Sequence, residues 1–264
     1  MSASWSGKGI ERRRATDAAH RAAVEGTVAH MRRCLAEPLD LNTLSRFAAM
    51  SKFHFVRTFE EVTGTTPCRF LGCLRIERAK QLLLQTNADV TDICMTVGYS
   101  SLGSFSSAFA ELVGVPPSAF RRLPREIDAQ HFFGRVAAFL DAQQRRKGPF
   151  LTGQIEAPVA SEGVVYVGAF VRGVPQGVPE SGTVVLAPGE YRIPRPSAPA
   201  FHLLAVLLPY GVFSLPLSTL IAVAGVASTR VVTKSLDCAR LPQLTFRPPR
   251  PTDPPILVEL SALL

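Results

Sequence analysis

The chain has 264 residues, more than one core of about 100 to 150 usually organises, so two domains are expected. Its net charge is +8, and the excess lies early: seventeen Lys and Arg face eleven acids up to Arg125, against twelve and ten beyond it. Such an excess serves a polyanion or merely solubility, and charge alone does not choose. The five cysteines, Cys34, Cys68, Cys73, Cys94 and Cys238, contain no C-x-x-C pair and mostly fall in helical segments, which suggests a reducing, cytoplasmic setting without a disulfide frame.

In chain order, residues 1–15 are charged and Gly-rich without an apolar run of leader length, and read as a flexible N-terminus. Residues 16–36 carry Ala22, Val24, Val28, Met31 and Leu35 at steps of mostly three and four, the stripe of an amphipathic helix. From Asp40 to Arg122 the pattern stays helical in short pieces. Leu41, Leu44 and Phe47 line one face of the first, Ala48 to Met50 turn the chain, and Ser51 is placed to cap the next helix. On that helix Phe55 and Phe59 face inward, four apart, while Lys52, Phe53, Val56 and Arg57 face outward with His54 near the edge.

This outward set suits a major groove. Arg57 can pair with a guanine edge or a phosphate, and Phe53 and Val56 can meet thymine methyls. The alternative reading is an ordinary solvated face. A helix over 68–85 follows, about 27 Å long at 1.5 Å per residue, against about 34 Å between successive major-groove faces on one side of a duplex. The plan then repeats: Val90, Ile93 and Cys94 inward, Gly98 at the turn, Ser100 or Ser101 as cap, and Phe105 with Phe109 as the second aromatic pair. Each unit stops alike, at Gly64 with Pro67 and at Gly114 with Pro117, each proline opening a further helix.

A last helix is expected over 127–144, with Phe132, Val136, Phe139 and Leu140 as its apolar face and Arg145, Arg146 and Lys147 at its end. Beyond Gly148 and Pro149 the pattern changes to short β-branched runs. Residues 164–171, 183–186, 201–208, 220–226, 229–233, 244–247 and 256–260 are candidate strands of an antiparallel sandwich-like domain. No charge falls between Arg195 and Arg230, but Pro209, Gly211 and Pro216 interrupt the stretch, so buried strands are expected there and no membrane span.

The residues Leu44, Ser51, Arg57, Phe59, Gly64, Pro67, Phe70 and Leu71, then Arg75-Ile76-Glu77-Arg78-Ala79-Lys80 with Leu82 and Leu83, then Ile93, Gly98-Tyr99, Phe105, Phe109, Gly114, Pro117, Phe120 and Arg121, resemble the DNA-binding domain of AraC/XylS transcription regulators. The resemblance covers about 95 residues. It implies two helix-turn-helix units joined by a long helix, sequence-specific binding to promoter DNA, and RNA polymerase as a partner. Carried over position by position, it assigns Ser51, Lys52, Phe53, Val56 and Arg57 to the first reading helix and Leu102, Gly103, Ser104, Ser106 and Ser107 to the second.

Ser107 stands where members of that family usually carry a cation, Gly103 where they carry Ser, and Cys94 where they carry Ala. The first helix is therefore expected to read bases and the second to anchor. The expected layout is α plus β: residues 1–15 flexible, 16–125 the all-α double helix-turn-helix domain, 126–149 a connecting helix and basic linker, and 150–264 the all-β domain. That domain either binds a small-molecule effector or partner, or only stabilises or pairs the protein. His202 reads as an ordinary strand residue.

Catalysis is not expected. His20, His30, His54, His131 and His202 are scattered without metal-ligand spacing, and there is no G-x-S-x-G or phosphate-binding Gly loop. No cofactor or metal is expected either. The alternative function is a ligand- or partner-binding β-domain protein whose helical head no longer binds DNA specifically.

Overall fold

The computed structural model describes residues 4–126, 134, 137–138, 141–142, 145, 147–156, 163–171, 177, 179–186, 189–209, 228–233, 241, 243–246 and 250–257. The chain divides into two compact units, Met1–Leu74 with Arg250–Pro254, and Arg75–Pro249 with Pro255–Leu264. The division falls inside a helix, not near Arg125 where the composition changes.

The first unit contains α1 (Ser4–Arg33), α2 (Leu41–Phe47), α3 (Lys52–Thr63) and the first half of α4 (Pro67–Gln85). Helix α1 starts well before the apolar stripe, so the segment expected to be flexible is helical from Ser4. The stripe itself packs: Val24, Val28 and Met31 are fully buried, whereas Ala22 is exposed. These three join Leu44, Phe55, Phe59, Phe70, Leu71 and Leu74 in one core. Each buried large side chain contributes about 1.5 to 3 kcal/mol.

Phe47 departs from its expected inward place. It sits on the last turn of a seven-residue helix, is 48% exposed, and lays its ring flat on His30 with centroids 4.4 Å apart.

Among the described residues, the second unit holds the rest of α4, then α5 (Val90–Thr96), α6 (Leu102–Val113), α7 (Pro117–Glu126) and seven strands. Phe132, Val136, Phe139 and Leu140 of the expected 127–144 helix lie outside the described residues, as do the strand expected at 220–226 and residues 258–260.

The strands form two sheets. In one, β1 (Phe150–Glu156) is flanked by β4 (Gly189–Pro194), antiparallel, and by β7 (Leu244–Thr245), parallel. The other runs β3 (Ser181–Leu186), β2 (Gly163–Phe170), β5 (Phe201–Pro209), β6 (Ser228–Thr233), antiparallel throughout.

Both sheets feed one core: Leu151, Ile155, Tyr191, Ile193 and Leu244 from the first meet Val165, Val167, Leu203, Ala205 and Leu207 from the second. Every residue of β2 is buried, as suits its central, β-branched run. The β1 and β4 pairing was not among the expected strands. It is built around Gly153, whose missing Cβ makes room for the ring of its cross-strand partner Tyr191; an added Cβ would stand 2.5 Å from it.

Two contacts within this unit tie distant segments to the helices. Lys80 on α4, only 7% exposed, donates to the carbonyls of Leu257 at 3.0 Å and Ile256 at 3.4 Å, with its ammonium 5.5 Å from the centroid of the Phe120 ring. The backbone N–H of Gly177 donates to Leu112 O at 2.8 Å, satisfying a carbonyl at the end of α6. Gly177 has φ +62°, and a Cβ there would stand 3.0 Å from Glu111 O, so both backbone and space favour glycine.

Candidate nucleic-acid interface

Helices α2 and α3 are joined by a tight turn, and so are α5 and α6. In the first turn Ala49 adopts φ 53°, Met50 N–H donates to Ser45 O at 3.0 Å, and Ala49 N–H to Arg46 O at 3.0 Å. In the second, Gly98 adopts φ 90°, Tyr99 N–H donates to Cys94 O at 3.1 Å, and Gly98 N–H to Met95 O at 3.0 Å. Both are Schellman closures of a helix end, with a left-handed residue at the position that favours glycine. The first turn places alanine in that conformation.

The caps also repeat. Ser51 Oγ accepts from His54 N–H at 3.4 Å at the start of α3, and Ser101 Oγ accepts from Ser104 N–H at 3.2 Å at the start of α6, which makes Ser101 the cap rather than Ser100. Gly64 and Gly114 end the two helices at φ 76° and 98°. Behind them, Phe55, Phe59 and Phe70 stack edge-on at 5.5 Å steps, and Tyr99, Phe105, Phe109 and Phe120 do the same at 5.4 to 5.8 Å.

Asp40 caps α2 by accepting from Thr43 N–H at 2.7 Å, and that bond holds its carboxyl below the usual range. Asp89, at the equivalent point before α5, makes no such bond.

On this common frame the outward faces differ. Helix α3 exposes Lys52, Phe53 and Arg57 on the side away from Phe55 and Phe59, with Val56 half-buried at the margin. Phe53 is 81% exposed, which leaves a large ring without protein cover. Arg57 lies along the helix with its Nε 3.8 Å from Glu61, both side chains solvated. That exposed pair contributes about 0 to 1 kcal/mol and can be exchanged for another anion.

Helix α6 exposes Leu102, Gly103, Ser104 and Ser107, with Ser106 half-buried. By position in the repeat, Leu102 stands for Lys52, Gly103 for Phe53, Ser106 for Val56 and Ser107 for Arg57, so both cations are absent. Ser104 Oγ accepts from Ser101 Oγ at 2.9 Å, and a Cβ on Gly103 would meet nothing within 4 Å. The structure thus brings each assigned set onto one helix, with Ser51 engaged as a cap. It adds a partner that sequence spacing did not signal: His54 faces His20 on α1.

Two helix-turn-helix units with exposed second helices define a tandem helix-turn-helix domain. Residues 44–123 match a family model described as a helix-turn-helix domain, and they are a domain of the AraC type.

The chain is 38% identical over 103 residues to the MmsAB operon regulatory protein of Pseudomonas aeruginosa, covering 39% of this chain and 34% of that protein. It is 32% identical over 89 residues to the bifunctional transcriptional activator and DNA repair enzyme AdaA of Bacillus subtilis, covering 34% of this chain and 42% of the other. Among solved structures, the DNA-binding domain of AdpA in complex with a target DNA aligns at 29% identity and TM-score 0.38, over 39% of this chain and 93% of that one. The chain spans 34% and 42% of the length of these two curated relatives, and 24% of GbdR from Pseudomonas aeruginosa. Among the described residues, no helix is long and apolar enough to cross a membrane.

Proposed function

We propose that this protein is a sequence-specific DNA-binding transcription regulator. The observation that carries the reading is the face of α3: Lys52, an 81% exposed Phe53 and Arg57, opposite a buried aromatic pair, on a capped helix held by a tight turn. Cations supply counterion release and hydrogen bonds to phosphate or guanine, and an uncovered ring supplies contact to thymine methyls. The match of residues 44–123, and relatives whose names describe operon regulation and transcriptional activation, support it.

In this reading α3 and α6 enter successive major grooves, α4 contributing about 28 Å of spacer from its 19 residues. Helix α3 reads bases through Lys52, Phe53, Val56 and Arg57. Helix α6 anchors: its serines reach only near phosphates or bases. The protein works in the cytoplasm, with promoter DNA and RNA polymerase as partners, and performs no catalysis of its own.

We place the effector, where one exists, at the cleft of about 260 Å³ lined by Thr152, Gly153, Gln154, Glu190, Leu241 and Gln243. Its size lies below the roughly 300 to 1,000 Å³ of drug-sized pockets and its lining is polar, so a small polar molecule suits it. The β strands whose core spans both sheets make up a sandwich-like domain in this reading, mostly antiparallel but with the parallel β1 and β7 pair correcting the all-antiparallel expectation.

Binding of the full chain to operator variants altered in one half-site at a time tests the proposal. A larger loss of affinity from the half under α3 is expected, with a steep fall of affinity as salt rises. Equal losses from both halves overturn the division of labour, and binding without preference over bulk DNA overturns the function.

A further inference from the structure

His54 lies beside Phe53 on α3, but its imidazole turns toward α1 and not outward. Its Nε2 is 3.3 Å from Nε2 of His20, the ring centroids are 4.9 Å apart, and the planes cross at 68°. Both rings are half-buried, and both residues belong to the first compact unit. That separation suits either an N–H to N hydrogen bond or two ligands of one ion.

With the centroids 4.9 Å apart, the two Nε2 axes are bent away from the line joining the nitrogens, as they are in a chelate. Two imidazoles bound to a tetrahedral ion at about 2.0 to 2.1 Å hold their nitrogens about 3.4 Å apart, close to the separation here.

We propose that His20 and His54 form a two-imidazole chelate for a divalent transition metal of the Zn²⁺ or Ni²⁺ kind, with water filling the open positions. Imidazole nitrogen suits these ions over Mg²⁺ or Ca²⁺, which take oxygen. No group of three or more His, Cys, Asp or Glu converges among the described residues, so the site is an exchangeable one rather than a closed structural centre. Loading it pins α1 to the reading helix beside Phe53.

The competing pair is His30 and Cys34, with Nδ1 and Sγ 3.7 Å apart. It is the poorer ligand set, since burial and then the neighbouring Glu37 push the Cys34 thiol up, away from the thiolate a metal requires.

Calorimetric titration of the untagged full chain with zinc or nickel chloride tests the proposal without DNA, so failure of the regulator reading leaves it standing. One saturable site is expected, with affinity falling about tenfold or more in both His20→Gln and His54→Gln and unchanged in Cys34→Ser. Circular dichroism checks that each variant is folded, and His20→Gln decides the matter should His54→Gln fail to fold. Absence of saturable binding overturns the proposal. So does affinity unchanged in His20→Gln, or affinity lost in Cys34→Ser.

Discussion

The two helix-turn-helix units share turns, serine caps on their second helices, helix ends and aromatic stacks, yet almost nothing on the surface that would meet a duplex. Positions that close the backbone, such as Gly98, Ser101 and Gly114, answer to steric and hydrogen-bonding demands that both units face equally. Positions such as Ser107 and Leu102 answer only to what lies outside. A frame can therefore be repeated while its chemistry diverges, and the comparison can be attacked at either level.

The largest effects are expected in the frame. Phe59→Ala and Phe109→Ala each remove a fully buried ring and should cost about 3 to 5 kcal/mol by denaturant unfolding. Similar losses from the two would confirm equivalent cores; a loss confined to one would break the symmetry.

The surface comes next. Arg57→Ala should weaken operator binding by about 1 to 3 kcal/mol and relax selectivity at one base pair, while Ser107→Ala changes binding little. Ser107→Arg should tighten binding and steepen the salt dependence by about one ion, as fluorescence anisotropy at several salt concentrations would show. Unchanged binding in Arg57→Ala would remove its reading role.

The turns give a smaller contrast of opposite sign. Gly98→Ala forces a side chain into a left-handed conformation and should destabilise by about 1 kcal/mol, while Ala49→Gly relieves that strain and should stabilise by a few tenths. Thermal unfolding of both variants reads the difference.

The smallest contrast lies at the caps. Asp40 has its pKa depressed by the Thr43 N–H, so its contribution is present above the ordinary carboxylate range and lost as pH falls through its own lower value. Asp40→Ala should flatten the acid side of the stability profile, whereas Asp89→Ala, at a position without a cap bond, should cost less stability at neutral pH. Matching profiles would show that the cap bond carries no stability.

Much of this was legible in the residues. The turns, caps and aromatic pairs sit at fixed offsets, and local hydrogen bonding dictates them, so Ser51, Gly64, Phe105 and Phe109 could be placed without coordinates. The candidate interface was legible for the same reason, being what remains on the other side of two amphipathic helices.

What escaped was non-local. The start of α1 precedes the apolar stripe, where no periodicity marks it, and Phe47 escaped its expected face by stacking on a ring seventeen residues away. Strand β1 has glycine at its centre, and only Tyr191 across the ladder explains why the strand survives. No spacing rule links His20 to His54. The strands within 164–171, 201–208 and 229–233 were visible because short β-branched or uncharged apolar runs leave a mark of their own.

The Lys80 contacts carry a consequence for biosynthesis. An ammonium buried on α4 finds its carbonyl partners at Ile256 and Leu257, a sequence separation of 176 and 177 residues. During translation α4 emerges long before either partner exists, and that charge must stay hydrated meanwhile. The second unit can thus finish packing only after residues 256 and 257 have emerged, whereas the core around Phe55 and Phe59 draws on residues up to Leu74 and is free to fold before then.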